Sequence, residues 1–332
     1  MDAQYHLNRG RTVFILPPAW FLASLTLAGA WLFKPDAART IGMIVYCLFA
    51  VVLTVHLARS NRSTPAFVDF GYLHSAPASF SGRLKIFVIG SGCLFALSLI
   101  LRESAILMIG SALVALWLMI KHRLEFRVDR LILGSLIGLC CGLATYLIGP
   151  RDLRLALLYT LTIPIFFYAG NLLLTQTGLT QVWMLQGRKR QALKSFVWVG
   201  ILSVPLILLN LFNGTSPDEG AIEHWWQPFY AFAPALAEEI WGRLFLVTLV
   251  YAWLQPVSGD HPGRAIGYAV LLPALLHGLA HYPESSMLSA ILSGLFVGVP
   301  LGMLFVKRDL ESAIGYHFFP VFIRWVVIFL QV

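Results

Sequence analysis

The chain has 332 residues, of which 58% are hydrophobic and 12% charged, and a mean hydropathy of +0.76, whereas a soluble globular domain carries roughly 25% charged residues. This composition excludes an ordinary soluble enzyme and predicts an all-α, polytopic helical protein in the lipid bilayer. The net charge of +8 gives no nucleic-acid footprint, because the basic residues fall mostly in short gaps between apolar runs, where they set topology.

The first apolar run, near 13–33, is long enough to span and holds Pro17 and Pro18 near its start, so it reads as a first transmembrane helix and not a cleavable signal peptide. Further spans are predicted near 41–58, 86–101, 104–120, 131–148 and 155–174, and then near 195–212, 230–256, 265–282, 288–306 and 312–331, about 11 in all. The cysteines at 47, 93, 140 and 141 all lie inside these runs without C-x-x-C spacing, which argues against disulfides and a structural zinc site.

Alternate gaps are rich in Lys and Arg. With Arg9 and Arg11 on the cytoplasmic side, the same side holds Arg59, Arg62, Arg83 and Lys85, then Lys121, Arg123, Arg127 and Arg130, then Arg188, Lys189, Arg190 and Lys194, then Lys307 and Arg308. One opposite loop is acidic through Asp218, Glu219 and Glu223. The bias predicts a cytoplasmic N-terminus and an outward C-terminus in a multi-pass protein, and the membrane is read, separately from the bias, as a bacterial plasma membrane. The Arg188-Lys189-Arg190 cluster reads as a stop signal near anionic lipid, and the Asn213-Gly214-Thr215 glycosylation pattern is too short to carry weight.

The polar linker 178–194 divides a six-helix membrane region, 1–177, from a five-helix core, 195–332. In the first region His56, Tyr159 and Asn171 are scattered without a shared spacing and read as packing residues. The core differs. The run AFAPALAEEIWGRLFLVTLVYAWL holds Glu238, Glu239 and Arg243, the next span holds His277 and His281, and the last holds His317. Ionisable groups in a membrane segment mark a functional site by default. On a helix Glu239 and Arg243 share a face and form a buried ion pair. Glu238 points about 100 degrees away and is left for another task. A carboxylate beside histidines is equipment for taking a proton from water.

The order EEIWGR, HGLAH and GLFVGVPLGMLFVKRDLESAIGYH, over about 195–330, resembles the CAAX protease and bacteriocin-processing family, also called type II CAAX prenyl endopeptidases. Its pattern is Glu-Glu-x-x-x-Arg, aromatic-x-x-x-His, a Gly-rich span, then His-x-x-x-Asn or Asp. The resemblance implies an intramembrane endopeptidase that cuts a membrane-anchored or tail-bearing protein. It gives Glu238 the role of water-activating base, with Glu239 and Arg243 holding the site, His281 polarising the water and His317 stabilising the oxyanion. It leaves the cofactor open between none and a divalent metal such as zinc. A metal would be held by Glu238, His281 and His317, with His277 the less favoured ligand.

This chain departs from the pattern at three positions. His277 stands where the family has an aromatic and makes an H-x-x-x-H pair, Val321 stands at the Asn or Asp position, and Gly242 replaces the usual Phe before Arg243. Two competing readings follow from the same residues: a non-catalytic immunity or scaffold protein, favoured by Val321, and a proton-coupled transporter. The absence of an inverted repeat and of paired broken helices in the sequence argues against the transporter.

Overall fold

The computed structural model describes residues 16–30, 35–59, 79–101, 105–122, 127–148, 152–212, 224–258, 261–281 and 286–331. Arg9, Arg11, Arg62, Arg123, Asp218, Glu219, Glu223 and the tripeptide at 213–215 lie outside them. Among the described residues every regular element is helical and none is a strand. In chain order these are α1 (Leu16–Ala30), α2 (Pro35–Arg59), α3 (Phe80–Leu101), α4 (Ala105–Lys121), α5 (Val128–Leu147) and α6 (Leu153–Thr177). After a short 3-10 turn come α7 (Lys189–Leu202) and α8 (Val204–Phe212), then a second 3-10 turn and α9 (Phe232–Glu239). A π segment (Ile240–Val247) leads into α10 (Thr248–Leu254), followed by α11 (Pro262–Ala280) and α12 (Met287–Ser293). A second π segment (Gly294–Gly298) leads into α13 (Val299–Lys307), and α14 (Leu310–Gln331) ends the described chain.

Eight described helices are long and apolar enough to cross a membrane, or nine if α7 and α8, bent by 54° at their junction, count as one span. The expected count of about 11 is not established by the described residues: Ala105–Lys121 is a shorter apolar helix of 17 residues, and the apolar helix Leu16–Ala30 borders residues outside the described ones on both sides.

The chain forms two compact units, each discontinuous in sequence: one from Met1–Ser63, Val182–Ala235 and Met303–Val332, the other from Thr64–Gln181 and Leu236–Gly302.

In the first unit, α14 packs against α7, α8 and the 3-10 turn Gln227–Ala231, while α1 and α2 pack on each other and on α8. Phe318 stacks on Phe232 with ring centroids 4.0 Å apart, and Phe196 joins them. The hydroxyls of Tyr46 and Tyr316 meet at 3.4 Å in the core. Asp309, just before α14, is buried and accepts from Trp183 Nε1 at 2.9 Å, Ser195 Oγ at 2.9 Å and the Ser312 backbone N–H at 2.7 Å. It thereby caps the helix and ties the polar linker to it. Glu311 adds a bond from the Met184 N–H at 2.8 Å.

The second unit is built around α6, whose start is capped by Asp152 and whose end is closed by Gly178 at φ 59. Gly134, Gly138 and Gly142 recur every four residues along α5 and lie against Pro164, Phe167 and Thr160 of α6. A Cβ at Gly138 would stand 2.9 Å from the Pro164 ring. This small-residue stripe lets two apolar helices approach where lipid offers no hydrophobic force to join them. Phe166 of α6 stacks on Phe245 of the π segment at 5.3 Å, so the helix holding the two glutamates rests on a packed wall. Arg83, expected in a cytoplasmic gap, is instead buried in the first turn of α3 and donates to the Trp253 carbonyl at 2.8 Å.

Candidate active site

Glu238 and Glu239 are the last residues of α9, and the helix then widens into the π segment. Such i→i+5 turns are rare and gather at functional sites. The two carboxylates face different partners. Oε2 of Glu239 lies 3.2 Å from Nε of Arg243, with the side chains 0% and 2% exposed. Arg243 Nη2 also donates to the Gly298 carbonyl at 3.4 Å, which links this helix to the second π segment.

Glu238 is 18% exposed, and its Oε2 lies 3.3 Å from His277 Nε2 and 3.7 Å from His281 Nε2. The two imidazoles meet edge to face at 5.2 Å. His277 is in the last turn of α11, and His281 is the residue that ends it, its N–H bonded to the Gly278 carbonyl at 3.1 Å. The H-x-x-x-H spacing thus places both rings on one face. The burial is graded, from 6% exposure at His277 to 45% at His281, which gives the cluster a sealed side and an open side.

Helix approach fixes this geometry. A Cβ at Gly278 would strike the Ala290 carbonyl and stand 2.7 Å from the Gly294 nitrogen. Next to His277, by contrast, Gly242 leaves room: a Cβ there would meet only His277 Nδ1, at 4.0 Å. Trp241 covers the other side, its ring 6.3 Å from that of His277.

The structure therefore brings together Glu238, His277 and His281, and beside them Glu239 with Arg243. His317 lies on α14, in the other unit, as does Val321. His277, expected chiefly as a packing residue, is the histidine nearest Glu238, and the H-x-x-x-H spacing was its signal. Arg83 and Asp309 went unrecognised because their partners are distant in sequence. Glu238, His277 and His281 each offer one ligand atom, all within 4.8 Å of one another, so these residues could hold a metal ion.

Residues 221–323 match the family model described as type II CAAX prenyl endopeptidase Rce1-like. No curated protein and no solved structure matches the chain. The match covers α9 to the middle of α14, and so contains Glu238, Glu239, Arg243, His277, His281 and His317. Over that stretch this polytopic helical membrane protein is similar to the type II CAAX prenyl endopeptidases, in agreement with the resemblance carried by its motifs.

Proposed function

We propose that the chain is an intramembrane endopeptidase in which Glu238 activates water. One observation carries the reading: a partly exposed carboxylate stands 3.3 and 3.7 Å from two imidazoles, next in sequence to a member of a buried ion pair. Glu238 takes a proton from water while the oxygen attacks the scissile carbonyl carbon. The C–N bond then breaks as the proton passes to the departing amine. His281, the more open imidazole, orients the water, and Glu239 with Arg243 holds the backbone of the helix turn.

The substrate class in this reading is a membrane-anchored or tail-bearing protein, cut within or close to the bilayer. The six helices before the polar linker serve as an extension of the protease core. In this reading the membrane is a bacterial plasma membrane, and the alternation of basic gaps supports a cytoplasmic N-terminus. Val321, at the Asn or Asp position, favours one second reading, a family member that binds its target without cutting it.

The test compares protein termini in membranes of native cells expressing the wild type or Glu238→Gln at matched abundance. Termini that vanish in the variant, with uncut precursors accumulating, are the expected result and name the substrate. Identical termini with folded protein present would transfer the assignment to the non-catalytic reading.

A further inference from the structure

We propose that Trp241 and Gly242 form a specificity subsite for the substrate residue adjoining the scissile bond. Gly242 leaves room for that residue's apolar side chain, and the Trp241 indole N–H donates to its backbone carbonyl. The subsite deepens the protease reading given above and rests on it.

The space is the first observation. Gly242 is buried in the π segment, yet a Cβ there would meet only His277 Nδ1, at 4.0 Å. At Gly170, Gly278, Gly294 and Gly298, buried glycines of the same compact unit, a Cβ would lie 3.0 Å or less from a neighbouring atom. The close helix approach that explains those glycines does not explain Gly242. Interiors pack to the density of organic crystals, so room of this kind beside a reactive group calls for an occupant.

Its position says which occupant. Gly242 follows Glu238 by four residues, and positions so spaced share a helix face. His277 joins the two, with Nε2 3.3 Å from Glu238 Oε2 and Nδ1 beside the space. The space thus lies one turn from the proposed base on the sealed side, while Glu238 and His281, 18% and 45% exposed, border the open side. A peptide held at the open side for attack on its carbonyl carbon sends the adjoining side chain inward to that place. Apart from Arg243, ion-paired with Glu239, the π segment carries no charged residue, so the place suits an apolar side chain.

Trp241 supplies the polar contact. It is 2% exposed, and its Nε1 finds no acceptor among the described residues. Its ring is 6.3 Å from that of His277. An indole N–H buried without an acceptor lowers stability, and the carbonyl of a bound peptide provides what it lacks. Gly242 stands where the motif pattern has Phe, so the room belongs to this chain in particular.

The test uses the full chain purified in detergent and the precursor named by the terminus comparison, with each residue adjoining the cut changed in turn to Gly, Ala and Leu. Gly242→Ala and Gly242→Phe should slow cutting of the Leu form relative to the Gly form by about 10–200-fold, the discrimination that a methylene draws from an apolar pocket. The effect should appear at one flanking position and not the other. Gly242→Ala, whose methyl group meets no close neighbour, serves should Gly242→Phe fail to fold. Trp241→Phe keeps a ring and removes the donor. It should raise KM by about 2–10-fold for all forms alike with kcat retained, the loss of one neutral hydrogen bond, and leave the unfolding midpoint unchanged or higher. Equal slowing of every form, or none, in the Gly242 variants overturns the side-chain pocket, and an unchanged KM in Trp241→Phe overturns the indole contact. Termini identical in Glu238→Gln remove the protease reading and the subsite with it. Termini that depend on Glu238 but show no size discrimination at Gly242 remove the subsite alone.

Discussion

Arg243 and Glu239, four residues apart and both shut away from solvent, form an ion pair at 3.2 Å that the Gly298 carbonyl extends to a neighbouring helix. Removing one member strands a charge in a low-dielectric interior, and such losses run to about 3–5 kcal/mol. Arg243→Leu and Glu239→Leu should therefore each lower the thermal unfolding midpoint strongly. The double variant should recover a large part of the loss, because it leaves no lone charge. Additive effects in this cycle would show that the pair is not coupled.

Glu238 has a different character, being partly open and facing two imidazoles. Glu238→Gln keeps the volume and removes the proton acceptor. Cleavage should fall by about 10²–10⁴-fold, the range of a lost general base, while unfolding shifts by no more than about 1 kcal/mol. Parallel measurement of turnover and thermal unfolding checks both halves of the expectation.

Two glycines near the site should respond in opposite directions. Gly278→Ala drives a methyl group into the Ala290 carbonyl and the Gly294 backbone, which should cost about 1–3 kcal/mol and separate α11 from α12. Gly242→Ala meets only His277 Nδ1 at ordinary contact distance. It should be neutral or stabilise by about 0.5–1 kcal/mol through the lower flexibility of alanine in a helix. Unfolding curves of the two variants decide the matter.

In the other unit Asp309 gathers an indole N–H, a hydroxyl and a backbone N–H. Asp309→Ala leaves these buried donors without their acceptor and should cost about 2–3 kcal/mol. Limited proteolysis in the 178–188 linker should become faster at the same time. Unchanged protection there would mean that the linker is held by other contacts.

Much of the site could be read before any coordinates. Glu239 and Arg243 announce themselves because a four-residue spacing on a helix is a spatial contact, and His277 with His281 for the same reason. The separation of Glu238 from Glu239 follows from the 100-degree step between neighbours. The convergence of Glu238 on the histidine pair does not, because it depends on how α11 lies against the glutamate helix. The π segments were also hidden, since their side chains have no periodicity that a short window distinguishes from an α-helix. Arg83 illustrates a related difficulty. Its place beside Lys85 and Ser81 reads as a loop charge, yet its head group is satisfied by a carbonyl 170 positions away. Apolar composition establishes that a segment prefers lipid, whereas the number of crossings also depends on where each helix ends, which hydropathy does not fix.

The widened turn from Ile240 to Val247 means that this helix carries one residue beyond what a regular α-helix would need, directly behind its two carboxylates. One residue fewer within the widened turn would let it wind as a regular helix with Glu238 and Glu239 still on their present faces, because a π turn advances less per residue than the roughly 100° of an α-helix. A deletion in the regular winding of α10 would instead rotate both carboxylates by about 100° relative to the residues that follow. The widened turn is thus a place where chain length can drift without changing which acid faces the imidazoles, whereas the same drift a few residues later would change it.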